Sequence, residues 1–200
     1  MIKFIVFLVC VFLSLGANSQ DKKTIILTID GKEYAIEEGE ELQLREVRSS
    51  PILTARVADN KKFESSYLSF TYPTNFSYSY EEDISYRNWT LDGNDFVIMY
   101  FEMDVETDLN DFVNEMVSQF GKEKCKTSPT EVVLGEKTLK GTRIEVSMIG
   151  QRLSIDLLGI INNEFKSRII VFQDSIGEEG GASIEKIKTL NVIDQSIQYK

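Results

Sequence analysis

The spacing of apolar residues changes at Leu109, and that change limits what the chain can fold into. Leu109, Phe112, Val113, Met116, Val117 and Phe120 recur every three or four residues, as one face of an α-helix requires. Thr107 or Asp108 stands where such a helix takes its N-cap, and Gly121 where it stops. On either side the apolar residues alternate at period two or fall in short runs bounded by Gly, Pro, Asn and Asp, the pattern of half-buried strands. The expectation is an α+β chain: an antiparallel sheet flanked by helices, with a small β subdomain before it.

Turn chemistry fixes two hairpins. Asp30-Gly31 suits a type I′ turn, whose two central residues both need positive φ, and counting outward pairs Leu27 with Tyr34 and Ile25 with Ile36. Gly150-Gln151 suits a type II′ turn and pairs Met148 with Leu153, Val146 with Ile155 and Ile144 with Leu157. That second register sets Glu145 opposite Asp156, a like-charge contact that must be solvated or relieved by Arg143 or Arg152. Further strands are expected over 42–47, 52–58, 66–72, 84–91, 96–103, 132–134 and 165–172, with one running through Tyr78 and Tyr80 and a turn at Asn162-Asn163. A last helix is expected over about 182–190, with Ile184, Ile187 and Leu190 on one side. Asp59-Asn60-Lys61-Lys62 is a polar break and the candidate linker between a subdomain at 20–60 and a domain at 63–200.

Residues 1–19 have the form of a secretory signal: Lys3, the apolar run Phe4 to Leu15, and the small-x-small site Ala17-Asn18-Ser19. Twelve apolar residues are too few for a bilayer core that needs about 20, so cleavage before Gln20 is expected, with no membrane span afterwards. The protein is then exported, either periplasmic or secreted. With net charge −10 and no cluster of Lys or Arg, it lacks the footprint for nucleic acid or anionic lipid. The sequence contains no histidine, which excludes Ser/His/Asp and Cys/His nucleophilic sites and histidine-ligated metals.

Phe70-Thr71-Tyr72-Pro73 with Phe76, then the helix from Thr107 to Gly121, then Gly141 leading into a meander, resemble the PsbP/Mog1 superfamily. The resemblance covers Phe63 to Ile197. It implies an α/β/α sandwich around an antiparallel sheet and no shared active site, since known members range from extrinsic photosystem subunits to exported bacterial proteins.

Three groups of residues are candidates for chemistry. Asp104, Glu106 and Asp108, with Asp111 beyond, read either as a calcium site or as carboxylates favoured at a helix N-terminus. The run lacks the glycine an EF-hand loop needs at its sixth position, so no metal and no cofactor is expected. Cys125, flanked by Lys122, Lys124 and Lys126, is a small buried apolar residue, a dimerising thiol or a reactive thiol of lowered pKa. The aromatic series Tyr67, Phe70, Tyr72, Phe76, Tyr78, Tyr80, Tyr86 and Trp89 either packs a sheet or floors a binding groove. If it is a groove, Tyr78, Tyr80, Tyr86 and Trp89 are the ligand-binding residues. No catalytic residue stands out. The leading reading is an exported, non-catalytic binding or accessory module of the cell envelope, acting on a protein or small ligand. The alternative is a hydrolase using carboxylates or a divalent cation, for which only acidic runs such as Glu81-Glu82-Asp83 and Glu178-Glu179 speak.

Overall fold

A computed structural model describes residues 24–37, 39–44, 50–148, 150–160, 167–177 and 180–200. The signal-like segment, the expected Asn162-Asn163 turn, Glu178-Glu179 and part of the strand expected over 42–47 lie outside the described residues; 42–44 is not strand.

The first three strands, β1 (Thr24–Ile29), β2 (Lys32–Glu37) and β3 (Leu53–Val57), form a sheet of order β2-β1-β3. Asp30 at φ 48° and Gly31 at φ 84° make the expected turn, and the register sets Leu27 against Tyr34 and Ile25 against Ile36. Three of the four residues of the expected linker are in a strand. Lys61 and Lys62 lie in β4 (Asn60–Glu64), Lys61 is buried, and its Nζ donates to the Phe76 carbonyl at 3.4 Å. Alternation explains this: Lys61 and Phe63 point inward while Asn60, Lys62 and Glu64 face out.

Next come β5 (Leu68–Pro73), β6 (Ser77–Asp83), β7 (Tyr86–Asp92) and β8 (Phe96–Met103), followed by helix α1 (Leu109–Phe120). Asp108 caps α1 by accepting from the Asn110 amide at 2.8 Å, and Gly121 closes it at φ 92°. After a 3₁₀ turn (Lys122–Lys124) come β9 (Cys125–Leu134), β10 (Lys137–Met148), β11 (Gln151–Ile160) and β12 (Arg168–Ile176). Helix α2 (Ile184–Ser196) and the two-residue β13 (Gln198–Tyr199) complete the chain. Seven strands form one antiparallel sheet of order β6-β7-β8-β12-β11-β10-β9, and three form a small sheet of order β13-β5-β4.

The expected α/β/α sandwich is not what the chain builds. It is mostly β, with two α-helices among the described residues. α1 covers one face of the large sheet, through Val113 and Met116 against Met99, Phe101, Ile144, Ile155 and Val171. The opposite face is shared by the small sheet and α2, with Phe63, Phe70 and Ile193 packed on Trp89, Tyr100, Ile170 and Phe172. Strands take that layer because Asn60–Glu64 and Leu68–Pro73 carry aromatics at period two, which pack as pleated surfaces and not as a helix stripe.

One further expectation is corrected. In the second hairpin Met148 pairs with Gln151, Val146 with Leu153 and Ile144 with Ile155, a shift of two residues. The shift keeps every side chain on its face but sets Arg143 opposite Asp156 and Glu145 opposite Ser154, which removes the like-charge contact. On α2, Lys186, Thr189 and Ile193 are the buried residues, while Ile184 and Ile187 are exposed.

Candidate functional site

The four aromatic residues singled out from the sequence do not meet on one surface. Tyr78, Tyr80 and Trp89 face the small sheet's side of the large sheet, whereas Tyr86 is buried on the α1 side with Met99 and Met103. Tyr80, Trp89 and Tyr100 are direct cross-strand partners and stack in a row, with ring centroids 5.2 and 5.6 Å apart. Phe63 meets the Trp89 ring edge-on at 6.0 Å. Trp89 is thus packed, and Tyr80, at the end of the row, is 41% exposed. Burial and a 2.8 Å hydrogen bond to Glu82 push the Tyr80 hydroxyl up to about 12, and burial with the charges of Glu81 and Asp83 does the same at Tyr86.

Two carboxylates of the acidic run before α1 have structural partners. Asp108 is the N-cap, and Asp104 accepts from Arg87 at 3.4 Å. Ser167 Oγ accepts from the Thr107 amide at 2.7 Å and donates to its carbonyl, which anchors the approach to the helix. No group of three potential ligands is placed to hold a metal among the described residues. Cys125 is half-buried at the edge of the α1 core. Burial and the Glu123 charge raise its thiol pKa against the opposing pull of Lys124, so the lysines do not activate it. Labelling of the native protein at neutral pH is therefore expected to be slow and to become fast on unfolding, as followed with a chromogenic disulfide reagent.

A concave feature among the described residues of the large sheet lies elsewhere. α1 has 12 residues, about 18 Å of helix at about 1.5 Å per residue. Seven strands spaced about 4.8 Å apart put the outer strands roughly 29 Å from each other. The helix cannot cover the whole face, and beside its C-terminal end a cleft of about 260 Å³ remains. Val97, Met99 and Leu153 form its floor, Met116 and Phe120 of α1 its wall. The rim is polar: Asp92, Asn94 and Asp95 from the β7–β8 turn, Gln151 from the β10–β11 hairpin, and Gln173 and Ser175 from β12.

The rim turn is held from the other face of the sheet. Glu185, in the first turn of α2, accepts from the amides of Asn94, Asp95 and Phe96 at 2.8, 2.6 and 3.0 Å. Ser175 N donates to the Asp95 carbonyl at 2.8 Å, which ties the turn to β12. Gly93 permits this close approach, because a Cβ there would lie 2.8 Å from both Glu185 Oε2 and Phe76 Cζ. The rim groups are thus positioned before any ligand arrives, which lowers the ordering cost of binding.

The sequence does announce some of these residues, but not as a site. Met116 and Phe120 belong to the visible helical stripe, and Val97 and Met99 to a visible strand. What creates the cleft is the mismatch between helix length and sheet width, which no local pattern carries.

No family model matches the chain, and none of the curated proteins does. Among solved structures, LpqN, involved in cell envelope biogenesis of Mycobacterium tuberculosis, is similar with a TM-score of 0.38 and 12% identity, over 70% of this chain and 90% of that one. No described helix is long and apolar enough to cross a membrane.

Proposed function

We propose that this chain is an exported, non-catalytic binding module that takes a small, largely apolar ligand in the cleft beside α1. The observation that carries the reading is the cleft itself: an apolar floor of Val97, Met99 and Leu153 under a polar rim clasped by Glu185. Small-molecule sites combine these features, a mostly apolar lining with a few placed polar groups. At about 260 Å³ the cleft is slightly smaller than the roughly 300 Å³ at which ligand pockets commonly begin, which favours a short ligand. Export rests on the signal-like residues 1–19. The absence of histidine favours binding over acyl-transfer chemistry.

The test uses the two methionines of the cleft as reporters. In protein labelled with ¹³C at the methionine methyls, titration with hexan-1-ol should shift the Met99 and Met116 signals saturably. Ser175→Trp, an exposed rim position, should plug the mouth and abolish the shift. If Met99 and Met116 do not respond in the wild type, or respond equally in the plugged variant, the cleft is not a binding site.

A further inference from the structure

The chemistry of the cleft also discriminates among ligands. We propose that it selects a short alkyl or aryl amine, carrying a positive charge at one end and an apolar body at the other, an inference that rests on the cleft being the binding site.

The first argument is the composition of the lining. Two carboxylates, Asp92 and Asp95, stand at the rim, and among the described residues no Lys or Arg lines the cleft. The second is that these carboxylates are unused. Asp92 and Asp95 enter the fold through backbone atoms, the Asp92 carbonyl accepting from Ser77 and the Asp95 carbonyl from Ser175. Among the described residues no hydrogen bond or ion pair engages either carboxylate. Glu185 sits behind the turn with Oε2 taken by the backbone amides of Asn94, Asp95 and Phe96 and Oε1 by the side-chain amides of Asn75 and Asn94, so it adds negative charge without offering a ligand contact.

The third argument is electrostatic. Burial and the Glu185 charge raise the Asp92 carboxyl pKa, so that carboxylate bears an unfavourable environment which a cation would relieve. The chain's formal charge of −10 adds a field that draws cations and repels anionic amphiphiles. The apolar body of the ligand would lie on Val97, Leu153 and the two methionines, whose flexible thioethers fit irregular shapes. An amine over the Asp92 and Asp95 carboxylates with its chain on this floor satisfies both halves of the lining. An alcohol satisfies one, and a carboxylate opposes the other.

The experiment compares hexylamine, hexan-1-ol and hexanoate, which share a chain length, by titrating the Met99 and Met116 methyl signals at low and high salt. Hexylamine should bind roughly two- to fivefold more tightly than hexan-1-ol at low salt, the range of an exposed charge pair, and lose much of that advantage at high salt. Asp92→Asn combined with Asp95→Asn should bring hexylamine to the level of hexan-1-ol. Hexylamine binding no tighter than hexan-1-ol, hexanoate binding tightest, or an amine advantage that survives both substitutions would each overturn the amine assignment while the cleft reading stood. Silence from all three probes would instead remove the cleft as a site. The salt dependence of the unaltered protein decides the matter should the double variant not fold.

Discussion

Gly141→Ala is expected to lower the melting temperature by roughly 6 to 12 °C. Gly141 lies within β10, paired with Leu158 on one side and Thr130 on the other. A Cβ built there falls 1.8 Å from the Leu157 carbonyl oxygen and 2.8 Å from its carbon. These are backbone atoms of β11, itself bonded to β12 in the middle of the large sheet, so they cannot step aside as the tip of a flexible side chain would. Forcing extra volume into a packed interior costs about 1 to 3 kcal/mol when side chains can adjust, and this site belongs at or above the top of that range. For a domain of this size each kcal/mol is worth roughly 2 to 4 °C. Gly177→Ala is the control: a Cβ there meets nothing within 4 Å, so the change should be neutral or slightly stabilising. If thermal melts place Gly141→Ala within a degree or two of the unaltered protein, the close approach is not a constraint.

Glycine at Gly141 is visible in the sequence, yet its reason is not, because a neighbour's backbone is known only once the register is. The two hairpins show the same limit from opposite sides. At Asp30-Gly31 the turn type leaves one register, and the observed pairs follow from it. At Gly150 a glycine of positive φ fits either central position of a two-residue turn, and the two choices differ by a shift that leaves every residue on its face. Apolar patterning cannot separate them. Charge could have: one register opposes Glu145 to Asp156, and the observed one gives Asp156 to Arg143. The α1 stripe was legible because a helix of its length carries its own caps and period. The inner face of α2 was not, since the side that periodicity marks, with Ile184 and Ile187, is exposed and the structure buries Lys186 and Thr189 instead. The sheet beneath offers carboxylates to that lysine, and only the assembled layers reveal them. The aromatic series was readable as a group, but its division between two faces of β7 required knowing that Tyr86 and Trp89, three positions apart in a strand, point in opposite directions.

Those carboxylates under α2 lead to the other large expected effect. Asp156 is fully buried, and Arg143 grips it with two hydrogen bonds, from Nε at 2.6 Å and from a terminal nitrogen at 2.9 Å. Lys186 Nζ donates to the same carboxylate at 3.2 Å and lies 3.9 Å from Asp174, whose carboxylate also accepts from the Ser183 amide just before α2. Asp156 therefore joins the sheet to the helix that also clasps the cleft rim. Asp156→Ala leaves the buried ammonium of Lys186 with only the more distant Asp174. Breaking a buried pair from one side costs about 3 to 5 kcal/mol, because the remaining charge is neither hydrated nor compensated. At neutral pH the melting temperature should fall by roughly 6 to 20 °C, and amide exchange in α2 should accelerate. The pH dependence gives a second readout. Burial pushes the Asp156 carboxyl up, but the Arg143 hydrogen bonds and the charges of Lys186 and Arg143 outweigh it and hold the pKa below the usual value. A depressed carboxyl pKa stabilises the fold fully above the unfolded value of about 3.9 and ceases to do so as pH falls through the lower folded value. The gap between the native protein and Asp156→Ala should thus be widest above about pH 5 and narrow toward pH 2. Melts of both proteins across that range check the assignment, and a gap that is small at neutral pH, or that does not change on acidification, would mean that Asp156 does not carry the junction between sheet and helix.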